Sequence, residues 1–341
     1  MQRCLDLAAH GLGKVAPNPM VGAVVVHGEK IIGEGYHEVY GQAHAEVNAI
    51  AQVQHKELLS ESTLYVNLEP CSHHGKTPPC ADLIISYQIP RVVIANQDPF
   101  PAVAGRGIAR LRKAGVEVIT GVLEKEAYEL NKRFMTFHTQ QKPYVILKWA
   151  ETKDGFIDQK RLPNDDQKPQ WITNQLSKRL VHKWRTEEQA IMVGTNTALY
   201  DNPQLTARLW EGKDPLRILL DRHLRLPKDL FLFDQSVPTL VFTEQERESV
   251  HQLEYIRIPF DQNELKAVMD ELYHRTIQSI IVEGGSELLQ SFLEQNLWDE
   301  ARVFIGNKHF RHGVSAPDKP DKAFEIELIG SSELRTYFNR E

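Results

Sequence analysis

The sequence predicts a two-domain α/β protein, and three observations support this fold class. The chain has 341 residues, a length that ordinarily forms two domains with separate hydrophobic cores. Apolar segments alternate with amphipathic segments through residues 1–138 and again from residue 144 onwards, which is typical of sheets covered by helices. A polar stretch ending in Lys142-Pro143 separates the two patterns. We therefore expect one domain over residues 1–140 and a second over residues 143–341.

The first domain opens with an amphipathic helix and a hairpin, whose turn is His27-Gly28-Glu29-Lys30. Pro79 favours a helix start immediately after it. The predicted strands are Met20–Val26, Ile31–Tyr36, Thr63–Asn67, Arg91–Ala95 and Val116–Thr120. The predicted helices are Gln2–Leu12, His44–Val53, Cys80–Tyr87, Gly107–Ala114 and Leu123–Phe137.

The second domain repeats the alternation of strands and helices. Its predicted strands are Tyr144–Ala150, Ala190–Gly194, Leu216–Leu220, Thr239–Thr243, Ser279–Val282 and Arg302–Ile305. Its predicted helices are Gln175–Arg185, Gln262–Arg275 and Ser286–Gln295. The polar stretch Gly155–Gln170 predicts a loop, and the last 30 residues, with Pro317, Pro320 and many charges, predict a peripheral segment.

Composition excludes several classes of function. Hydrophobic residues make up 41% of the chain and charged residues 25%, as in ordinary globular proteins. A formal net charge of -6 leaves no basic excess for general nucleic-acid binding. No run of about 18 apolar residues occurs, so we expect no membrane span. Three cysteines are too few for a disulfide framework, and we expect a cytoplasmic protein whose thiols stay reduced.

Two short motifs predict a zinc site. His44-Ala45-Glu46 supplies an imidazole and a carboxylate, and Pro70-Cys71 with Cys80 supplies two thiols, each close to a predicted helix start. Three nitrogen or sulfur ligands leave one tetrahedral position of Zn²⁺ open, which distinguishes catalytic from structural zinc. Zinc lowers the pKa of its bound water, and Glu46 would take that proton. This is the arrangement of the zinc deaminases, although their usual C-x-x-C spacing is longer here.

These motifs also have interpretations that involve no catalysis. A lone His-x-Glu is most often a surface helix feature, two cysteines can simply pack in a core, and the zinc can be structural. The joint pattern favours catalytic zinc. Cys4 lies on the apolar side of the first helix and is expected to be a core residue.

The motifs resemble those of the bifunctional riboflavin-biosynthesis deaminase–reductase family. The resemblance rests on Asn18-Pro19-x-Val21-Gly22, on His44-Ala45-Glu46 and on the long run from Glu69 to Cys80, and it extends over about residues 1–310. It implies an N-terminal three-layer α/β/α cytidine-deaminase-like domain and a C-terminal dihydrofolate-reductase-like α/β domain. It also implies deamination of a phosphoribosylated diaminopyrimidinone, followed by NADPH reduction of its ribosyl group to a ribityl chain.

The resemblance implies further residue roles. In the first domain, Zn²⁺ binds His44, Cys71 and Cys80, Glu46 is catalytic, and the substrate is contacted by Asn18, His37, His73 and Lys76. In the second, a Gly-Gly pair between an apolar strand and a helix suits a phosphate-bearing cofactor. NADPH would bind Trp171, Thr197, Asp201, Gly285 and Ser286. The reductase substrate would bind Lys148, Arg185, Leu205, Arg208 and Glu283, with Lys148 or Asp201 as electrostatic or proton-donating partner.

Two alternatives remain open from the residues. The second domain could merely bind the phosphorylated substrate without reducing it. A non-enzymatic relative could use zinc structurally and bind RNA, although the acidic charge argues against this. We expect a phosphorylated pyrimidine as the small-molecule partner, neither nucleic acid nor membrane as a partner, and a homo-oligomer.

Overall fold

The computed structural model describes residues 1–72, 79–101, 103–160 and 170–340. The chain divides into two compact units, Met1–Gln141 and Lys142–Glu341. In the described ranges, no helix is long and apolar enough to cross a membrane.

The first unit is a mixed sheet between two layers of helices. Its strands are β1 (Gly22–His27), β2 (Lys30–Tyr36), β3 (Thr63–Leu68), β4 (Arg91–Asn96) and β5 (Glu117–Thr120), in the order β2-β1-β3-β4-β5. The first two pairings are antiparallel and the last two are parallel. The helices are α1 (Gln2–Ala9), α2 (Ala45–Gln52), α3 (Cys80–Ser86), α4 (Arg106–Lys113), α5 (Glu124–Leu130) and α6 (Lys132–Gln140).

Alternating residues of β1 show the three layers. Ala23 and Val25 pack into the core beneath α2, α3 and α4, whereas Val24 packs against Cys4 and Leu7 of α1. This is the α/β/α arrangement that the sequence predicts, with Cys4 in the core as expected.

Glycines set how closely α2 lies on the sheet. A Cβ atom at Gly33 would lie 2.3 Å from the Ala49 carbonyl oxygen, and one at Gly35 would lie 2.6 Å from the Ala49 nitrogen. Only a residue without a side chain therefore lets the helix rest directly on β2. This contact fixes the start of α2, where His44 and Glu46 lie.

The second unit is built on a nine-stranded sheet of order β11-β10-β9-β8-β12-β6-β13-β16-β15. Its strands are β6 (Tyr144–Glu151), β8 (Ala190–Gly194), β9 (Leu216–Leu220), β10 (Thr239–Thr243), β11 (Leu253–Arg257), β12 (Ser279–Val282), β13 (Glu300–Ile305), β15 (Phe324–Ile329) and β16 (Ser332–Phe338), and a separate pair joins β7 (Phe156–Asp158) to β14 (Val314–Ser315). The helices are α7 (Gln175–Glu187), α8 (Thr195–Asp201), α9 (Glu264–His274) and α10 (Ser286–Glu294).

The strands from β11 to β13 are parallel, and the β15–β16 hairpin continues the sheet in antiparallel fashion. Buried apolar strands run through the centre, as parallel sheets covered on both faces require. The architecture is consistent with the dihydrofolate-reductase-like fold that the sequence predicts.

Several sequence expectations were wrong. The helix expected over Leu123–Phe137 is two helices, because the chain breaks at Asn131, whose side chain bonds to the distant Met20 backbone. The C-terminal segment is not peripheral, since β16 pairs with β13 along its whole length and buries Leu334 and Tyr337. The stretch expected as a loop from Gly155 contains β7, and α6 extends through Gln140 into the expected linker. The strand β11 and the helix α8 were missed altogether.

Candidate functional site

Three potential metal ligands converge in the first unit. His44 is the N-cap of α2, Cys71 follows β3, and Cys80 is the first residue of α3. The His44 Nδ1 atom lies 3.6 Å from the Cys71 Sγ atom and 3.4 Å from the Cys80 Sγ atom. All three ligand atoms lie within 4.8 Å of one another. The structure therefore brings together the three residues that the sequence predicts as ligands.

These distances fit a single zinc ion. Tetrahedral Zn²⁺ with ordinary Zn–N and Zn–S bonds separates its nitrogen and sulfur ligands by about 3.6 Å. Both nitrogen–sulfur distances agree with this value. A donor set of one imidazole and two thiolates also suits zinc better than it suits magnesium or calcium, which prefer oxygen ligands. The three residues can hold zinc and leave a fourth position for a reactant.

The electrostatics favour a thiolate at Cys71 and a proton acceptor beside it. Hydrogen bonds from the Cys80 thiol, the His44 ring and the Cys80 backbone N–H hold the pKa of Cys71 well below its usual range. Glu46 is only 3% exposed. Burial, followed by the charge of Cys71, raises the pKa of Glu46 to about 7. A carboxyl group with such a pKa can both accept and return a proton near neutral pH.

A second set of polar groups lies next to the ligands. The Asn18 side-chain nitrogen lies 3.0 Å from His37 Nε2, and the His37 Nδ1 atom lies 3.0 Å from the Ala43 carbonyl oxygen. The His37 and His44 rings meet edge to face, with their centroids 5.6 Å apart. The structure thus places His37 against His44, and Asn18 against His37. His73 and Lys76 lie outside the described residues.

Buried amides hold the loop that carries Asn18. Asn131 accepts a hydrogen bond from the Met20 N–H and donates one to the Met20 carbonyl. Asn67 accepts from the Gly22 N–H and also donates to the Met20 carbonyl. These roles could not be predicted from the sequence, because each partner is distant along the chain.

Glu69 is a second residue whose role the sequence did not reveal. Its buried carboxylate accepts hydrogen bonds from the backbone N–H groups of Asp98, Gly105 and Ile108. A Cβ atom at Gly107 would lie only 2.0 Å from the Pro70 carbonyl oxygen. The segment leading to Cys71 is therefore fastened to the start of α4 by a carboxylate and by direct backbone contact.

In the second unit, predicted residues gather at the carboxyl ends of the parallel strands β6, β8 and β12. Arg185 of α7 binds both Glu283 carboxylate oxygens, at 3.1 and 2.9 Å, and donates to the Thr206 carbonyl at 2.9 Å. The Lys148 Nζ atom lies 3.8 Å from the same carboxylate. Ligands bind outside this edge in open α/β sheets.

The charges of this group depend on one another. Burial alone would raise the pKa of Glu283, but Arg185 and Lys148 outweigh it and lower that pKa to about 2. Burial lowers the pKa of Lys148, and Glu283 partly opposes this. Burial and the nearby Arg185 lower the pKa of Arg208. Leu205 is buried, and its backbone adopts the left-handed conformation. The next residue, Thr206, accepts a hydrogen bond from Arg185 through its carbonyl oxygen.

The glycine pair after β12 lies beside the end of β8 and close to Thr197. The Gly284 carbonyl accepts a hydrogen bond from the Gly194 N–H, which joins the ends of β12 and β8. A Cβ atom at Gly285 would lie 3.2 Å from the Thr197 hydroxyl oxygen. Glycine at both positions keeps this backbone free of side chains, which suits the close approach of a cofactor phosphate to backbone.

Three other predicted cofactor residues are Trp171, Asp201 and Ser286. The Trp171 ring is largely exposed, with the Lys178 Nζ atom 3.9 Å from its centroid. Asp201 is the exposed last residue of α8. Ser286 opens α10 and donates its hydroxyl to the Ser315 carbonyl.

The models of two protein families match separate stretches of the chain. The model of the cytidine and deoxycytidylate deaminase zinc-binding region matches residues 1–96, and the model of the RibD C-terminal domain matches residues 143–322. The riboflavin biosynthesis protein RibD of Aquifex aeolicus is 41% identical over 96% of this chain and 92% of its own length. RibD of Escherichia coli is 38% identical over 90% of this chain and 87% of its own length.

The chain belongs to the RibD family.

Solved structures extend the similarity to the whole fold. A deaminase/reductase of this family from Thermotoga maritima has a TM-score of 0.88 at 40% identity, covering 99% of this chain and 97% of its own. RibD of Acinetobacter baumannii also has a TM-score of 0.88, at 31% identity, covering 100% of this chain and 98% of its own. As a RibD protein, the chain is a bifunctional enzyme with a zinc-dependent deaminase domain and an NADPH-dependent reductase domain.

Proposed function

We propose that the first unit deaminates 2,5-diamino-6-ribosylamino-4(3H)-pyrimidinone 5′-phosphate and that the second then reduces its ribosyl group to a ribityl chain. The observation that carries the proposal is the convergence of His44, Cys71 and Cys80 beside the buried Glu46. The proposed domains are residues 1–140 for deamination and 143–341 for reduction.

Deamination needs an attacking water and two proton transfers. Bound at His44, Cys71 and Cys80, zinc supplies the Lewis acidity that lowers the pKa of a water to near 7. Glu46 accepts one proton from the water and delivers it to a ring nitrogen. It then carries the proton of the newly added hydroxyl group to the departing amine, so that a carbonyl forms and ammonia leaves. Asn18 and His37 contact the pyrimidine or its sugar, and His73 and Lys76 complete the site, with Lys76 suited to the phosphate.

Reduction needs the sugar in its open-chain imine form. NADPH, bound at Trp171, Thr197, Asp201, Gly285 and Ser286, supplies the hydride that is added to C1. Arg185 and Arg208 hold the phosphate, because guanidinium groups form forked hydrogen bonds to phosphate oxygens. Leu205 and Glu283 orient the sugar. Lys148, whose pKa burial lowers, donates the proton that the imine nitrogen takes up, and Asp201 is the other candidate donor.

The test follows both reactions in one sample. Purified protein receives the diaminopyrimidinone phosphate and NADPH, and ammonia release is measured together with the absorbance of NADPH. Equal amounts of ammonia and oxidised NADPH are expected. Ammonia without NADPH oxidation would instead support a second domain that only binds the phosphorylated substrate.

We also propose that the protein is a cytoplasmic homo-oligomer. The strand β15 is an edge of the nine-stranded sheet and exposes Phe324, Ile326 and Leu328 on one face, with Leu328 76% exposed. Exposed apolar edge strands favour pairing with another chain. Light scattering should show that Leu328→Lys lowers the oligomeric state. An unchanged molar mass would remove this edge as the contact.

A further inference from the structure

His182 is a buried residue of the second unit for which the proposed reaction has no use. It lies on α7 three residues before Arg185, and residues at this spacing share one face of a helix. It is 3% exposed, and its Nδ1 atom makes no hydrogen bond to any residue that the structure describes. Buried polar atoms are nearly always hydrogen-bonded, so an unpartnered imidazole nitrogen needs an explanation.

The surroundings of His182 are strongly cationic. Lys178 and Arg185 flank it on α7, Arg208 approaches from the segment after α8, and Glu283 lies at the end of β12. The Glu283 carboxylate is already bound by Arg185 and lies near Lys148. Within the described ranges, Arg208 forms no ion pair. Several cations therefore share the single Glu283 carboxylate, and the group lacks a second anion that would balance its positive charge.

This environment opposes protonation of the imidazole. Burial, followed by the charges of Arg185 and Arg208, lowers the pKa of His182 to about 4, although Glu283 acts in the opposite direction. The ring is therefore neutral near pH 7. A doubly charged phosphate placed among these cations would reverse the local potential and favour the imidazolium.

We propose that His182 is a positioning residue that takes up a proton when a phosphate monoester binds between Arg185 and Arg208, and that its Nδ1–H then donates to the bound ligand. This inference rests on the proposed reductase function, since it needs the substrate phosphate at these two arginines. It adds a proton-linked step to substrate binding, which the two arginines alone would not produce.

The sign of the pH dependence follows from linkage. If the anion restores the ordinary His pKa of about 6.5, the imidazole takes up about three quarters of a proton when the ligand binds at pH 6. Its contribution to affinity then rises as the pH falls, by about tenfold between pH 8 and pH 5.5. The second ionisation of a phosphate monoester, at about pH 6, acts in the opposite direction, because the dianion becomes scarcer as the pH falls. At pH 8 the imidazole is neutral in both states and contributes no proton linkage.

The experiment is calorimetric titration of the full-length protein with ribose 5-phosphate at pH 6, in buffers of different ionisation enthalpy. The buffer dependence of the heat gives the number of protons bound. Inorganic sulfate is a second probe, because it does not titrate between pH 5.5 and pH 8 and any proton uptake must come from the protein. The comparison variant is His182→Asn, whose amide occupies the place of Nδ1 but cannot be protonated.

Three outcomes are distinguishable. With sulfate at pH 6 we expect wild-type protein to take up about three quarters of a proton, and with ribose 5-phosphate about that much more than His182→Asn takes up. At equal pH, His182→Asn should bind as well as wild type at pH 8 but up to about tenfold more weakly at pH 5.5. Equal proton uptake and equal pH slopes in the two proteins would overturn the inference while leaving the proposed function intact. If Arg208→Ala bound ribose 5-phosphate as tightly as wild type, the phosphate site of the proposed function would itself be wrong.

Discussion

The two sites are assembled in opposite ways. The proposed zinc ligands of the first unit lie within residues 44–80, with His44 and Cys80 at the starts of two helices and Cys71 after β3, and the Glu46 carboxyl group near them is buried. The cluster of the second unit draws Lys148, Arg185, Arg208 and Glu283 from four separate segments, and the charge of Glu283 holds Arg185 and Lys148. In the proposed function, a metal would complete the first, short-range site, and an anion would complete the second, long-range site. Changes in one should therefore leave the other working.

The largest separation should come from removing a zinc ligand. In Cys80→Ser, a hard hydroxyl replaces a thiolate that zinc prefers, so the metal should be lost and ammonia release should fall below detection. NADPH oxidation with the deaminated substrate should persist. Metal analysis and both assays check this. The control is Cys4→Ser, which changes a buried thiol in the core beneath α1 and should keep its zinc. A full zinc content in Cys80→Ser would contradict the ligand assignment.

Removing the proton carrier should stop deamination while sparing the metal. Glu46→Gln keeps the shape of the side chain but cannot accept a proton, so kcat for ammonia release should fall about 10²- to 10⁴-fold. Zinc content should match wild type, because Glu46 is not a ligand. Normal turnover at full zinc occupancy would show that another group moves the proton.

The phosphate contact of the second unit should give a smaller, one-sided loss. Arg208→Ala removes a charged hydrogen-bond donor, which should raise the reductase KM about 10- to 100-fold. Ammonia release should be unchanged. Arg179→Ala, an exposed arginine on α7, is the matched control. Parallel losses in both reactions would argue that the sites are not separate.

The smallest effect should come from loosening the support of Cys71. Glu69→Gln replaces one acceptor oxygen by a donor, which leaves at least one of three backbone N–H groups unpaired at a cost of about 1–3 kcal/mol. Hydrogen exchange of peptides covering residues 98–108 should become about tenfold faster or more. Peptides from β8 serve as the internal control. Unchanged exchange over residues 98–108 would mean that Glu69 does not fasten this segment.

Sequence patterns predicted the local parts of the molecule better than the long-range ones. The zinc group could be predicted because two short motifs at strand-to-helix junctions carry all its ligands. The break at Asn131 could not, because the apolar pattern of Leu123–Phe137 continues through it and its cause is the Met20 backbone, far away in the chain. The alternation from Phe324 to Leu328 did signal a strand, but nearby prolines and charges obscured it.

The second site shows the same limit. Arginine, lysine and glutamate are ordinary surface residues, and only the sheet topology brings Lys148 of β6 next to Glu283 after β12. His182 was missed because a single histidine in a helix carries no signal of its own. Glu69 begins the Glu69–Cys80 motif, yet its role becomes clear only from the three backbone N–H groups that it binds.

Asn131 has a consequence for dissecting the enzyme. The stretch matched by the deaminase zinc-binding model stops at residue 96, but the Met20 N–H finds its partner only in Asn131, between α5 and α6. A fragment cut after residue 96, or a chimera that borrows only that stretch, would leave this amide unpaired beneath the Asn18 loop. The smallest transplantable deaminase is therefore the whole first unit, through the last turn of α6.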